Sequence, residues 1–117
     1  MSAAISVPTI GEPLPRAEDA YTAREKLDWI LAEHGHGREW TRALKIRSDD
    51  AGDLWRGIAR AVLDAPISSI RDLSPFGIGC EVRIVITLNA RLTPVVTAWH
   101  YDKVGSAPRL ITAYPTP

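Results

Sequence analysis

The sequence predicts an α+β fold, with N-terminal helices packed on one face of a roughly four-stranded antiparallel sheet. Three observations carry this. Apolar residues recur at helical intervals as far as Val62 and alternate with polar ones beyond Pro66. The 117 residues suffice for one hydrophobic core and therefore one domain. Hydrophobic residues make up 45% and charged residues 24%, the balance of a globular chain rather than a disordered one.

Residues 1–20 contain Pro8, Pro13, Pro15 and Gly11, which remove backbone donors and oppose helix, so they read as an extended arm or linker ahead of a domain at 21–117. Thr22 stands three residues before Glu25, the spacing of a capping box, and opens a helix from Ala23 to His34 with Leu27, Ile30 and Leu31 on its apolar face. Gly35 and Gly37 interrupt it, and Arg38 to Lys45 form a second short helix. Asp49 or Asp50 caps a third, whose stripe is Leu54, Trp55, Ile58, Ala61 and Val62 and which Pro66 closes. Ile67 to Leu73 is a short edge strand before a turn at Ser74 to Gly77. Cys80, Val82, Ile84, Ile86 and Leu88 alternate with Glu81, Arg83, Val85 and Thr87 as one strand. Asn89 to Leu92 make a turn, and Val95–Tyr101 and Arg109–Tyr114 supply the last two strands.

No apolar run approaches the roughly 20 residues that span a bilayer, and the opening residues lack a basic leader followed by an apolar stretch. The expectation is a cytoplasmic domain with no membrane partner. The single cysteine, Cys80, sits among apolar residues as a structural thiol. With three scattered histidines it falls short of the four paired ligands of a structural zinc site, so neither a metal nor another cofactor is expected. Net charge is zero. Residues 1–66 carry 9 basic and 11 acidic side chains, whereas 67–117 carry 5 and 3, which makes the sheet half the anion-facing half. No concentrated basic patch is visible along the chain, so nucleic-acid binding would have to come from a local pocket.

Imidazole exchanges protons near neutral pH. His36 lies in a glycine-flanked loop. His100 is the neighbour of Trp99 on a strand, so burying one turns the other toward the opposite face. His34 continues the apolar stripe of the first helix, and a favourable charge at the helix end is its simpler reading. RNA cleavage by its own 2′-hydroxyl needs a base, an acid and cations for the charge on phosphorus. Arg38, Arg71, Arg83 and Arg109 could supply the cations, and Thr97, Thr112 and Tyr114 the hydroxyls. Each also has a plainer reading: Arg83 as a cross-strand partner of Glu81, Arg38 and Arg71 as solvated charges, Thr112 and Tyr114 as strand formers, and Trp29, Trp40, Trp55 and Trp99 as core aromatics.

The stretches Leu14–Asp19, His34–Arg38 and Ala107–Pro115 resemble a family of small bacterial toxin-associated domains, found alone or at the C-terminal tips of polymorphic toxins. Trp40 stands where that family would carry a basic residue. Helices followed by a four-stranded sheet ending in Thr112 to Tyr114 are similar to the ribonuclease toxin superfamily of barnase, EndoU, the tRNase colicins and RelE. The resemblance implies a metal-independent endoribonuclease with His36 and His100 as base and acid and Arg83 and Arg38 on phosphate. It places Thr112 and Tyr114 as terminal-strand contacts, and Arg71 and Arg109 are further candidates for substrate binding. RNA rather than DNA is then the substrate, and a cognate immunity or antitoxin protein the partner. Two other classes fit the composition: a non-catalytic protein-binding module of a toxin–antitoxin or toxin–immunity system, and a small-molecule binder with the sheet face as a pocket wall.

Overall fold

The computed structural model describes residues 7–32 and 35–116, with Ser48 described by its backbone alone. Helices α1 (Arg24–Leu31), α2 (Gly37–Leu44) and α3 (Ala51–Ala61) precede strands β1 (Ile67–Asp72), β2 (Ile78–Leu88), β3 (Arg91–Tyr101) and β4 (Arg109–Pro115). The strands form one antiparallel meander in the order β1-β2-β3-β4. The chain is thus α+β, as its change of period predicts. None of the described helices is long and apolar enough to cross a membrane.

All three helices cover the same face of the sheet. Cys80, Val82, Ile84 and Ile86 of β2 pair in register with Trp99, Thr97, Val95 and Thr93 of β3, and all eight are buried. Against them the helices press Leu27, Ile30 and Leu31 from α1, Trp40 and Leu44 from α2, and Leu54 and Ile58 from α3, each spaced to share one helical stripe. Two polar groups are accommodated in this core by a chain of donors: Trp99 Nε1 donates to Thr97 Oγ1 at 2.8 Å, and that hydroxyl donates to the Val82 carbonyl at 2.7 Å. Trp40 Nε1 donates to the Ala113 carbonyl at 3.2 Å, tying α2 to β4. Trp40 is fully buried, so an apolar body with one donor, rather than a cation, is what this position of α2 requires. Trp29, by contrast, is 44% exposed.

Several boundaries differ from the sequence reading, each for a local reason. The helix expected over Ala23–His34 starts its regular turns at Arg24 and ends at Leu31; Glu33 and His34 lie outside the described residues. Its N-cap is Ala23 with no side-chain bond, and Thr22 Oγ1 is buried without a partner among the described residues. Tyr21 is held in a parallel bridge to Arg109 at the β4 edge, which sets where the chain enters the helix. Asp50 does precede α3 but makes no cap bond there, because its Oδ2 accepts the Arg47 backbone N–H at 2.9 Å. The turn expected over Asn89–Leu92 is only Asn89-Ala90, both at positive φ, the pattern of a two-residue hairpin turn that matches strand twist. β3 therefore begins at Arg91.

The proline-rich start packs along the domain. It includes a single 3-10 turn at Ala17–Asp19. Gly11 N–H donates to the Ile67 carbonyl and Ile67 N–H to the Glu12 carbonyl, each at 2.9 Å. Tyr101 Oη donates to the Pro15 carbonyl at 2.6 Å, and Leu14 and Ala17 are buried in the core.

Candidate functional site

With the helices on one face, the side chains between the core positions of β2, β3 and β4 stand on the other. Register places Arg71, Gly79, His100 and Arg109 side by side across all four strands. At about 4.8 Å per strand, the row is about 14 Å long. Gly79 contributes no side chain to it, and the result is a depression of about 280 Å³ lined by Ser69, Arg71, Leu73, Glu81, Ala98 and His100 among others. The adjoining row is Ser69, Glu81, Ala98 and Thr112; the one beyond contains Arg83, Val96 and Tyr114.

His100 is the most constrained member of the row, with a side chain only 14% exposed. Its Nε2 lies 2.6 Å from the Phe76 carbonyl oxygen in the β1–β2 turn. A carbonyl only accepts, so Nε2 carries a hydrogen. The Nδ1 atom is 3.3 Å from an Arg109 guanidinium nitrogen and 3.2 Å from Asp102 Oδ1. In the neutral ring Nδ1 accepts from Arg109; in the cation it donates to Asp102. A proton can therefore enter or leave at Nδ1 while the bond to Phe76 is kept. The turn reaches His100 because residue 77 is glycine: at φ 110° a Cβ there would lie 2.0 Å from the Tyr101 carbonyl oxygen and 3.0 Å from His100 Nε2.

The remaining candidates separate into two groups. Arg71, Arg83, Arg109, Thr112 and Tyr114 share the open face with His100 by register. Among the described residues Arg71 makes no side-chain hydrogen bond or ion pair. Arg83 lies 3.7 Å from Glu81 of its own strand, rather than across strands. Thr112 Oγ1 is buried with no hydrogen-bond partner among the described residues, and Val96, buried outside the core cluster, lies in register between Arg83 and Tyr114.

His36, by contrast, stands before α2 with its ring centroid 5.0 Å from that of Tyr114 and its Nδ1 3.8 Å from Glu39 Oε1. Tyr114 pairs with Val96, four residues from His100 on β3, which is about 13 Å along a strand. A base and an acid must each come within about 3 Å of the atoms they serve. The fold does not bring His36 and His100 together on one phosphate. Arg38, two residues after His36 on α2, lines a separate hollow.

That hollow is what sequence reasoning missed. The half of the chain with the acidic excess gathers Arg38, Arg42, Lys45 and Arg47 along one cleft. Two further groups acquire meaning only in the fold: Asp102 and the Phe76 carbonyl, the partners of His100. Cys80 is buried on the core face, and desolvation raises its thiol pKa to about 11. It stays a protonated thiol and no nucleophile near neutral pH. Asp72 is held below the ordinary carboxylate pKa by hydrogen bonds from the Ser74 hydroxyl and then its backbone N–H, which fastens the turn that carries Phe76.

Set against protein-family models, curated proteins and solved structures, the chain finds no significant match in any of the three.

Proposed function

We propose that this domain is a metal-independent endoribonuclease of the toxin type, acting in the cytoplasm of a target cell, with RNA bound on the open face of the sheet. One observation carries the reading: the row Arg71, Gly79, His100 and Arg109 sets a proton-exchanging imidazole between two guanidinium groups beside a depression of about 280 Å³. In this reading His100 Nδ1 takes the proton of a ribose 2′-hydroxyl. The freed oxygen attacks phosphorus, the 5′-oxygen leaves and takes its proton from solvent, and a 2′,3′-cyclic phosphate remains. Arg71 and Arg109 hold the non-bridging oxygens as their charge grows, the role for which a planar, permanently charged fork is suited. Thr112, Tyr114 and Arg83 lie one and two rows farther along the same face, where the flanking nucleotide would run. His36 is outside this mechanism because of its distance. DNA, lacking the 2′-hydroxyl, is not a substrate, and the partner is an immunity or antitoxin protein that covers the row.

A second reading, a non-catalytic protein-binding module, is favoured by one specific contact. His100 Nε2 is committed to the Phe76 carbonyl and its Nδ1 faces Asp102 and Arg109, an arrangement that also serves simply to pin the β1–β2 turn. Incubating the purified domain with total bacterial RNA in a chelator separates the two. Fragments ending in a cyclic phosphate, lost in His100→Ala and kept in His36→Ala, are the expected result. RNA left intact by the folded domain would assign the open face to a protein partner.

A further inference from the structure

We propose that the hollow between α1 and α2 binds the phosphodiester backbone of a single RNA strand, as a site distinct from the open face of the sheet. It rests on the reading above only in taking RNA as the partner. Arg38, Arg42, Lys45 and Arg47 form one wall and Asp28 and Leu31 belong to the other, around about 690 Å³. Asp28 is the only carboxylate among the described lining residues, and its Oδ1 already takes Arg24 Nε at 3.0 Å. Among the described residues the Arg42, Lys45 and Arg47 side chains make no hydrogen bond or ion pair. In a chain of zero net charge, Arg42, Lys45 and Arg47 are thus three positive charges in one cleft with no ion-pair partner among the described residues.

The placement is built rather than accidental. Arg38 and Arg42 are four residues apart on α2, about 6 Å along its axis, and Lys45 follows roughly 4.5 Å on. Lys45 closes the helix at φ 59°, and the helix end is held by Asn89, whose Nδ2 donates to the Leu44 carbonyl at 2.9 Å. Thr41 Oγ1 donates to the Ile46 carbonyl at 3.3 Å, which turns the chain so that Arg47 joins the same wall. Single charges at steps of a few ångströms complement a strand that carries one negative charge per nucleotide. A protein partner would call for exposed apolar residues at the centre of the contact; here Leu31 is buried. A bilayer surface would call for an apolar face beside the cations.

The test is binding of a fluorescent, 2′-O-methylated single strand of about 12 nucleotides, which this chemistry cannot cleave, across about 50 to 200 mM salt. Affinity falls as salt rises. The double variant Arg42→Gln, Arg47→Gln binds more weakly and flattens the slope of log affinity against log salt by about 1.4, or about 0.7 per lost contact. Arg42→Lys, Arg47→Lys keeps the slope, which shows that the charge and not the packing is read. An unchanged slope in the glutamine variant overturns the proposal, as does displacement of the strand by polyglutamate as readily as by unlabelled RNA. Cleavage assays report separately on His100, so a chain that binds without cutting breaks the catalytic reading alone, and one that cuts with an undisturbed slope breaks this one alone.

Discussion

The two faces of the sheet are made by the same residues of backbone and obey different constraints. Facing the helices, Val82, Val95, Thr97 and Trp99 are sealed, and the polar atoms among them are joined donor to acceptor. On the other face Arg71, Arg83 and Arg109 stand with His100, Thr112 and Tyr114, and the arginines' contacts to carboxylates are few and long: 3.7 Å from Arg83 to Glu81, 3.9 Å from Arg109 to Asp102, and none for Arg71 among the described residues. One face is determined by packing. The other is largely open, with His100 as the point where the two meet, since it is on the open side and yet fastened to a turn.

The sharpest test of this contrast is Trp99→Ala. Trp99 is 1% exposed, its ring lies 6.2 Å from that of Trp55, and it donates to Thr97. Its loss costs about 3–5 kcal/mol, a large part of the roughly 5–15 kcal/mol by which domains are stable. Denaturant titration should show a transition moved far to lower concentration. Thr97→Val keeps the shape but deprives the Val82 carbonyl of its donor and Trp99 Nε1 of its acceptor, and should cost about 1–3 kcal/mol. A near-neutral result there would mean that the chain of donors is incidental to the core.

How much of this was legible follows from what each feature depends on. The face of every β2 residue is readable because alternation is a property of neighbours: Glu81 and Arg83 go one way because Cys80 and Val82 go the other. By the same rule Trp99 in the core sends His100 outward. What His100 touches was hidden, because Phe76 is 24 residues away and reaches it only through a turn that Gly77 permits. The basic cleft was hidden for another reason. Arg38, Arg42, Lys45 and Arg47 lie in the half of the chain with the acidic excess, with Glu39 among them and Asp49 and Asp50 directly after, so a count over that half conceals them; the turn of α2 and the bend that follows it bring the cations to one wall. The separation of His36 from His100 likewise depends on which part of β4 each one meets: Tyr114 for His36, Arg109 for His100.

His100→Ala gives an intermediate effect if His100 is both a tie and a site. It removes the hydrogen bond to the Phe76 carbonyl, for about 1 kcal/mol, and frees the β1–β2 turn. Amide exchange at Phe76 to Ile78 should quicken while the Val82 and Val95 amides keep their protection. Loss of protection in the core strands as well would mean that the open face bears on the stability of the whole domain, and the contrast between the faces would fail.

Arg71→Gln should have the smallest effect on folding and the clearest on function. Arg71 lies on the edge strand, exposed, in a row whose other members hold one another. With no contact to lose, stability should stay within about 0.5 kcal/mol of the parent. If the row binds phosphate, removing one of its two guanidinium groups weakens a charge-assisted contact that forms only with the ligand. Cleavage by the folded variant should then drop by about tenfold or more, the loss that 1.4 kcal/mol of transition-state stabilisation corresponds to. A residue that costs the fold nothing when replaced, yet costs the reaction that much, has no structural reason for its place; equal rates in variant and parent would return Arg71 to the solvated charges and leave the row without its second cation.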